Sequence, residues 1–308
     1  MHIFLFGLLL FLAGLEGSKW SIKKMTSEKF RLLMMSLNNS IFLSLIIGIL
    51  ITAILQSSSA VSIILISLIE ARILTLKPAI CIILGANIGT TFTVQLISFP
   101  ILIYYPYFII VGLILIIIGI FTNRKISYLG GAIFFLAVVF AGLVVMTDFF
   151  KLTEVKQTIQ TILKFAGSNI YLGIFIGTLT TAIVQSSSVV TGITVSLAMN
   201  NLITLSSAIA IALGSNIGTC ITAFLASINA GSLSKTMAKG HFIFNILGVL
   251  VLIPLFSIFE DIVINTSDQL VRQIANAHTI FNIFNVLIFL PFLNTFISLI
   301  GGDKDGYD

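Results

Sequence analysis

The sequence predicts an all-α polytopic membrane protein built as two inverted-topology repeats, each with a re-entrant helical hairpin. Three observations lead there. The chain of 308 residues is 58% hydrophobic and 9% charged, whereas soluble domains carry roughly a quarter charged residues. One stretch of the chain occurs twice. In both copies the most polar residues lie inside the most apolar surroundings.

The duplication is read directly. Gln56-Ser57-Ser58-Ser59 is matched by Gln185-Ser186-Ser187-Ser188. Gly85-Ala86-Asn87-Ile88-Gly89-Thr90 is matched by Gly214-Ser215-Asn216-Ile217-Gly218-Thr219. The interval from Gln to Asn is the same in both, so 48–98 overlays 177–227 without a gap, with about half of the positions identical. Low-complexity apolar sequence produces chance similarity, but not paired polar tetrads and paired Asn-Ile-Gly-Thr runs in register.

Taken in order, an apolar helix at about 3–16 leads into a basic loop with Lys19, Lys23, Lys24, Lys29 and Arg31. No basic residue precedes that helix, which makes it a first membrane helix and not a signal peptide. Two short arms follow, about 40–55 and 60–69, divided by the first tetrad. Neither has the roughly 20 residues needed to cross, so a hairpin entering and leaving on one side fits them. Spans are expected at about 74–98, 102–121 and 127–147, then a polar connecting loop at 148–168. The plan then repeats, with arms at about 170–184 and 189–199 and spans at 203–227, 238–257 and 275–299. This divides the chain into an N-terminal repeat (1–147), the connector, a C-terminal repeat (169–299) and a polar tail (300–308). Cys81 and Cys220 sit in apolar runs and read as packing residues.

Basic residues test the topology. With both tetrads as hairpin tips, all but Lys151, Lys156, Lys164 and Arg272 of the 16 Lys and Arg fall on one face, with the C-terminus. That is positive-inside topology in a cell (plasma or inner) membrane, not nucleic-acid binding. Three crossings then separate the copies, which inverts the second, a construction common in transporters with a midplane site.

Depth brings the polar residues together. An arm from Ser59 to Glu70 rises about 18 Å to a surface, and the next span returns a similar distance to reach Asn87. The serines stand where a second arm begins, where hydroxyls and free N–H groups suit an anion. Gly85, Gly89, Gly214 and Gly218 are expected to allow local unwinding around Asn87 and Asn216, freeing carbonyl oxygens for a hard cation. No Lys, Arg, Asp or Glu occurs in 32–69, 78–123, 169–234 or 240–259. An anion at midplane would therefore need mobile cations as its counter-charge, a physical reason to expect symport. Interhelical hydrogen-bond glue is the competing reading of such residues, and it accounts less well for a duplicated tetrad. The repeated units His241-x-x-Phe244-Asn245 and His278-x-x-Phe281-Asn282 read as packing or helix-linking, with a gating or pathway-lining role as the alternative.

On these tetrads, the Gly-x-Asn-Ile-Gly-Thr runs and the His-x-x-Phe-Asn segments, the chain resembles the sodium-dependent phosphate cotransporter family, the type II group in its bacterial branch. The resemblance implies sodium-coupled uptake of inorganic phosphate by alternating access. It implies phosphate on Ser57, Ser58, Ser59, Ser186, Ser187 and Ser188, and sodium at Gln56, Asn87, Thr90, Gln185, Asn216 and Thr219. Expected partners are phosphate, sodium and the lipid bilayer, with a homodimer left open, no cofactor and no nucleic acid. The rival readings are a carrier of another oxyanion, a proton-coupled carrier, a channel, or a membrane enzyme acting on a lipid phosphate. The enzyme is disfavoured because no Asp/Glu pair stands at helical spacing within a span.

Overall fold

A computed structural model of the chain describes residues 2–35, 40–99, 104–152, 154–157 and 169–302, and their regular structure is helical throughout. In order, the helices are α1 (His2–Met35), α2 (Ile41–Leu55), α3 (Ser58–Glu70), α4 (Leu76–Ile97), α5 (Tyr105–Phe121) and α6 (Arg124–Phe150). Then come α7 (Ile170–Val184), α8 (Ser187–Met199), α9 (Leu205–Ser227), α10 (Ser232–Leu252), α11 (Phe256–Ile264), α12 (Leu270–Phe289) and α13 (Leu293–Leu299). Among the described residues, six helical stretches are long and apolar enough to cross a membrane. The protein is a multi-pass membrane protein.

The arms fall where the apolar runs are cut. α2 and α7 each have 15 residues, and α3 and α8 each have 13. Fifteen residues rise about 22 Å, short of a hydrocarbon core of about 30 Å. α5 has 17 residues, at the lower limit for a membrane helix. The start of the expected 102–121 span, most of the connector and the end of the tail lie outside the described residues.

Two expectations are corrected. The basic stretch after residue 16 is not a loop: α1 runs unbroken from His2 to Met35. Lys and Glu are good helix formers, and the chain hides Ser18 and Ser21 while leaving Lys23 and Lys24 in the open. The second correction concerns the paired glycines. α4 and α9 are continuous through Gly85–Thr90 and Gly214–Thr219, without local unwinding.

The glycines instead let backbones touch. A Cβ at Gly85 would collide with the Leu45 carbonyl oxygen of α2, and one at Gly48 with the Ile82 carbonyl of α4. The second copy repeats this between Gly214 and Ile174, and between Gly177 and Ile211. A Cβ at Gly89 would stand 2.5 Å from the Ile49 carbonyl oxygen. With no hydrophobic driving force between helices in lipid, such contact is how they hold together. α1 meets α6 in the same way, Gly14 on Val139 and Gly142 on Phe11.

Around these contacts lie three apolar clusters. One joins α2, α3 and α4 to α10 through Ile51, Leu65, Ile83 and Phe244. A second joins α9, α11 and α12 through Leu213, Phe259 and Phe281. The third seats Phe11 of α1 against Phe140 of α6 and Val189 of α8. At the end of α3, Glu70 accepts from Ser234 Oγ (2.5 Å) and Gly231 N (2.9 Å), tying that arm to the start of α10. Those two bonds, Ser234 first, hold its carboxyl below the usual carboxylate range.

Gly85→Ala and Gly214→Ala should each cost about 1–3 kcal/mol or more by overpacking. A lower apparent melting temperature in detergent is the expected reading; unchanged melting would mean the helices do not meet at these carbonyls.

Candidate functional site

Each tetrad begins with a residue in a conformation that helices use to stop. Gln56 closes α2 at φ 51°, ψ 32°, and Gln185 closes α7 at φ 56°, ψ 24°. A side chain in this left-handed region costs about 1–2 kcal/mol, so both turns are held by their surroundings. Each Gln N–H still donates to the carbonyl four residues back, Thr52 and Thr181, at 2.7 Å. Ser57 and Ser186 are then extended, and Ser58 and Ser187 open the next helices. Ser57 Oγ accepts from the Ala60 N–H at 3.2 Å, as expected of a helix cap, whereas Ser186 makes no such bond.

The two tetrads, far apart in sequence, line one cavity of about 640 Å³. All eight of their residues border it, together with Thr90 of α4, Thr222 of α9, and Leu12, Leu15, Glu16 and Lys19 of α1. The N-termini of α3 and α8 therefore border one space. Asn87, Asn216 and Thr219 do not line it; they are buried in α4 and α9. Thr90 and Thr219 hydroxyls bond their own helix, at Ala86 O (2.9 Å) and Ser215 O (2.8 Å).

Behind the cavity the asparagines are held by the histidines. His241 of α10 lies 3.1 Å through Nε2 from Asn87 Oδ1, and His278 of α12 lies 3.1 Å through Nε2 from Asn216 Oδ1. An amide oxygen only accepts, so each Nε2 carries the proton. The helix-linking role expected of this unit is therefore observed, with the partners now identified. Asn245 follows His241 by one turn, accepts from Asn87 Nδ2 (3.0 Å) and donates to Cys220 Sγ (3.1 Å). Asn282 likewise returns to His278 O at 2.8 Å.

The copies are alike in composition and unequal in bonding. Thr181 bonds Ser215 Oγ at 3.0 Å, but Ala86 stands at the matching position, and Thr52 Oγ1 is buried without a partner. Gln56 is buried with Oε1 unpartnered, while Gln185 is exposed. The Ser59 and Thr222 hydroxyls lie 3.1 Å apart; the matching Thr93 Oγ1 has no partner.

Four residues are not singled out by the sequence pattern. Glu16 and Lys19 were assigned to a helix end and a loop, although their three-residue spacing is itself a helical signal. Pro254 and Pro291 follow His241 and His278 at the same interval, and each sits in a 3₁₀ turn that interrupts its span.

A sequence model described as Na+/Pi-cotransporter matches residues 10–148 and 151–286. Protein YqeW of Bacillus subtilis is 35% identical over 253 residues, 81% of this chain and 80% of that protein. YjbB of Salmonella typhimurium, named for inorganic phosphate export, is 28% identical over 212 residues, 67% of this chain and 38% of its own. Human sodium-dependent phosphate transport protein 2B is 43% identical over 109 residues, 33% of this chain and 16% of its own. No solved structure matches the chain.

Two substitutions test the bonding. Ala86→Ser should give Thr52 the partner that Thr181 has and add about 1 kcal/mol of stability. His241→Phe should leave Asn87 Oδ1 without its donor and cost about 1–3 kcal/mol. Melting in detergent reads both, and equal melting of all three proteins would contradict the network.

Proposed function

Because the chain belongs to the Na+/Pi-cotransporter family, we propose that it is a secondary active carrier coupling sodium to inorganic phosphate in the cavity between the tetrads. The convergence of both tetrads on one cavity carries this reading. Phosphate takes its donors from Ser57–Ser59 and Ser186–Ser188 and from the free N–H groups at the starts of α3 and α8. Helix N-termini favour anions through these N–H groups and the positive dipole end.

Sodium binds at the amide and hydroxyl oxygens of Gln56, Asn87, Thr90, Gln185, Asn216 and Thr219. Support comes from the buried, unpartnered Gln56 Oε1 and the unpartnered Thr52 hydroxyl one turn away, since a hard cation seeks such oxygens. The His bonds leave one lone pair on each Asn Oδ1 for a cation. In this reading α2–α3 and α7–α8 are re-entrant hairpins, their short arms meeting at the tips, and the copies 1–147 and 169–299 are inverted. Sodium loads first and offsets the phosphate charge, and the loaded, nearly neutral carrier switches to face inward.

Direction has a second reading. YjbB is named for phosphate export, and a coupled carrier runs outward when the combined gradients reverse.

In proteoliposomes, radiolabelled phosphate should accumulate with an inward sodium gradient and not with potassium in its place. Replacing Ser58 or Ser187 by leucine should abolish accumulation with membrane insertion intact; unchanged uptake would remove the tetrads from the site. Accumulation under potassium would refute sodium coupling. Sodium-driven efflux from loaded vesicles with no uptake in either orientation would establish the export reading.

A further inference from the structure

The cavity holds one charged pair that the proposed phosphate and sodium sites do not use. Glu16 and Lys19 stand one turn apart on α1, with Lys19 Nζ 2.6 Å from Glu16 Oε1. The Lys19 side chain is 21% exposed and that of Glu16 72%. Both border the same space as the two serine runs. Among the described residues lining it, Lys19 is the one that carries positive charge.

A doubly charged oxyanion between the tetrads meets hydroxyls and N–H groups, which are neutral donors. A bond from an ammonium is shorter and roughly twice as strong as one between neutral groups. Lys19 has the means to supply it: a point charge on a flexible four-carbon stem, with three rotatable donors. Glu16 is a weak competitor, because an exposed pair at this helical spacing contributes little and is screened by salt. With its side chain 72% exposed at the border of the cavity, Glu16 can release the ammonium by turning outward.

We propose that Lys19 is a substrate-binding residue: the anion takes its ammonium from Glu16, which turns to solvent. The proposal rests on the reading that an oxyanion binds between the tetrads. Glu16 is then an internal competitor that keeps the cavity's net fixed charge near zero while it is empty. The fixed counter-charge missing from the apolar segments is delivered from outside both duplicated stretches, by the first helix.

The test is calorimetric titration of inorganic phosphate into the purified full chain in sodium chloride, with melting curves to verify folding. Lys19→Gln should weaken binding by roughly tenfold, and Lys19→Arg should stay within about threefold of the parent. Glu16→Gln, which frees the ammonium, should tighten binding by about threefold. Parental affinity in both Lys19→Gln and Glu16→Gln overturns the proposal. If Lys19→Gln does not fold, unchanged affinity in Glu16→Gln overturns it alone. Sulfate is run in parallel. A parent that binds sulfate but not phosphate removes the phosphate reading, and the same variants then decide Lys19 on sulfate. A parent that binds neither overturns both.

Discussion

Contact between helix backbones, made at Gly48 and Gly85 in one copy and at Gly177 and Gly214 in the other, sets the distances on which everything else depends. In lipid, apolar side chains gain little by turning toward each other, so helices are held by close packing and by hydrogen bonds that have no solvent competitor. Seating α2 on α4 fixes how far Gln56 lies from Asn87, because both belong to helices that cannot slide without a carbonyl meeting a Cβ. The same holds for Gln185 and Asn216. The break after each Gln then aims the serines and the next helix start into the shared space. Remove the glycine contacts and the tetrads keep their local turns but lose their common address.

Charge is distributed with similar economy. The duplicated segments are almost free of ionisable groups, so the interior is wired with amides, hydroxyls and two imidazoles. Asn87 and Asn216 each bridge a histidine on a different helix, which joins the long helices of the duplicated segments to α10 and α12. Such groups are expensive in hydrocarbon unless satisfied, and of those left open, Gln56 Oε1 and Thr52 Oγ1 lie on the arm that leads to the cavity. A neutral lattice with a few unused oxygens at its edge suits ions that arrive and leave.

Much of this was legible in the sequence, for identifiable reasons. The arms were found to within a few residues because a polar tetrad cuts an apolar run, and because residue counts can be compared with bilayer thickness. The serine cap was legible because hydroxyls at a helix start have one common use. The roles of Gly85 and Gly214 were not: unwinding and close approach both require the absence of a Cβ, and only the neighbouring helix tells them apart. Lys19 was hidden by its charge, which in a membrane protein suggests a surface loop, although a helix can carry it along one side. The histidine partners lie across the fold and have no local signature.

The inequality of the two copies has a thermodynamic meaning. Ser59 has Thr222 within bonding distance, while Thr93, in the matching place, is left with an empty hydroxyl; Gln56 is enclosed and Gln185 open. At this one pair the halves carry the same residues and could exchange roles, Ser188 meeting Thr93 as Ser59 parts from Thr222, whereas the Thr181–Ser215 bond has no counterpart at Thr52 and Ala86. Arrangements related in that way would differ by few bonds. A small difference in what each binds would then be enough to choose between them.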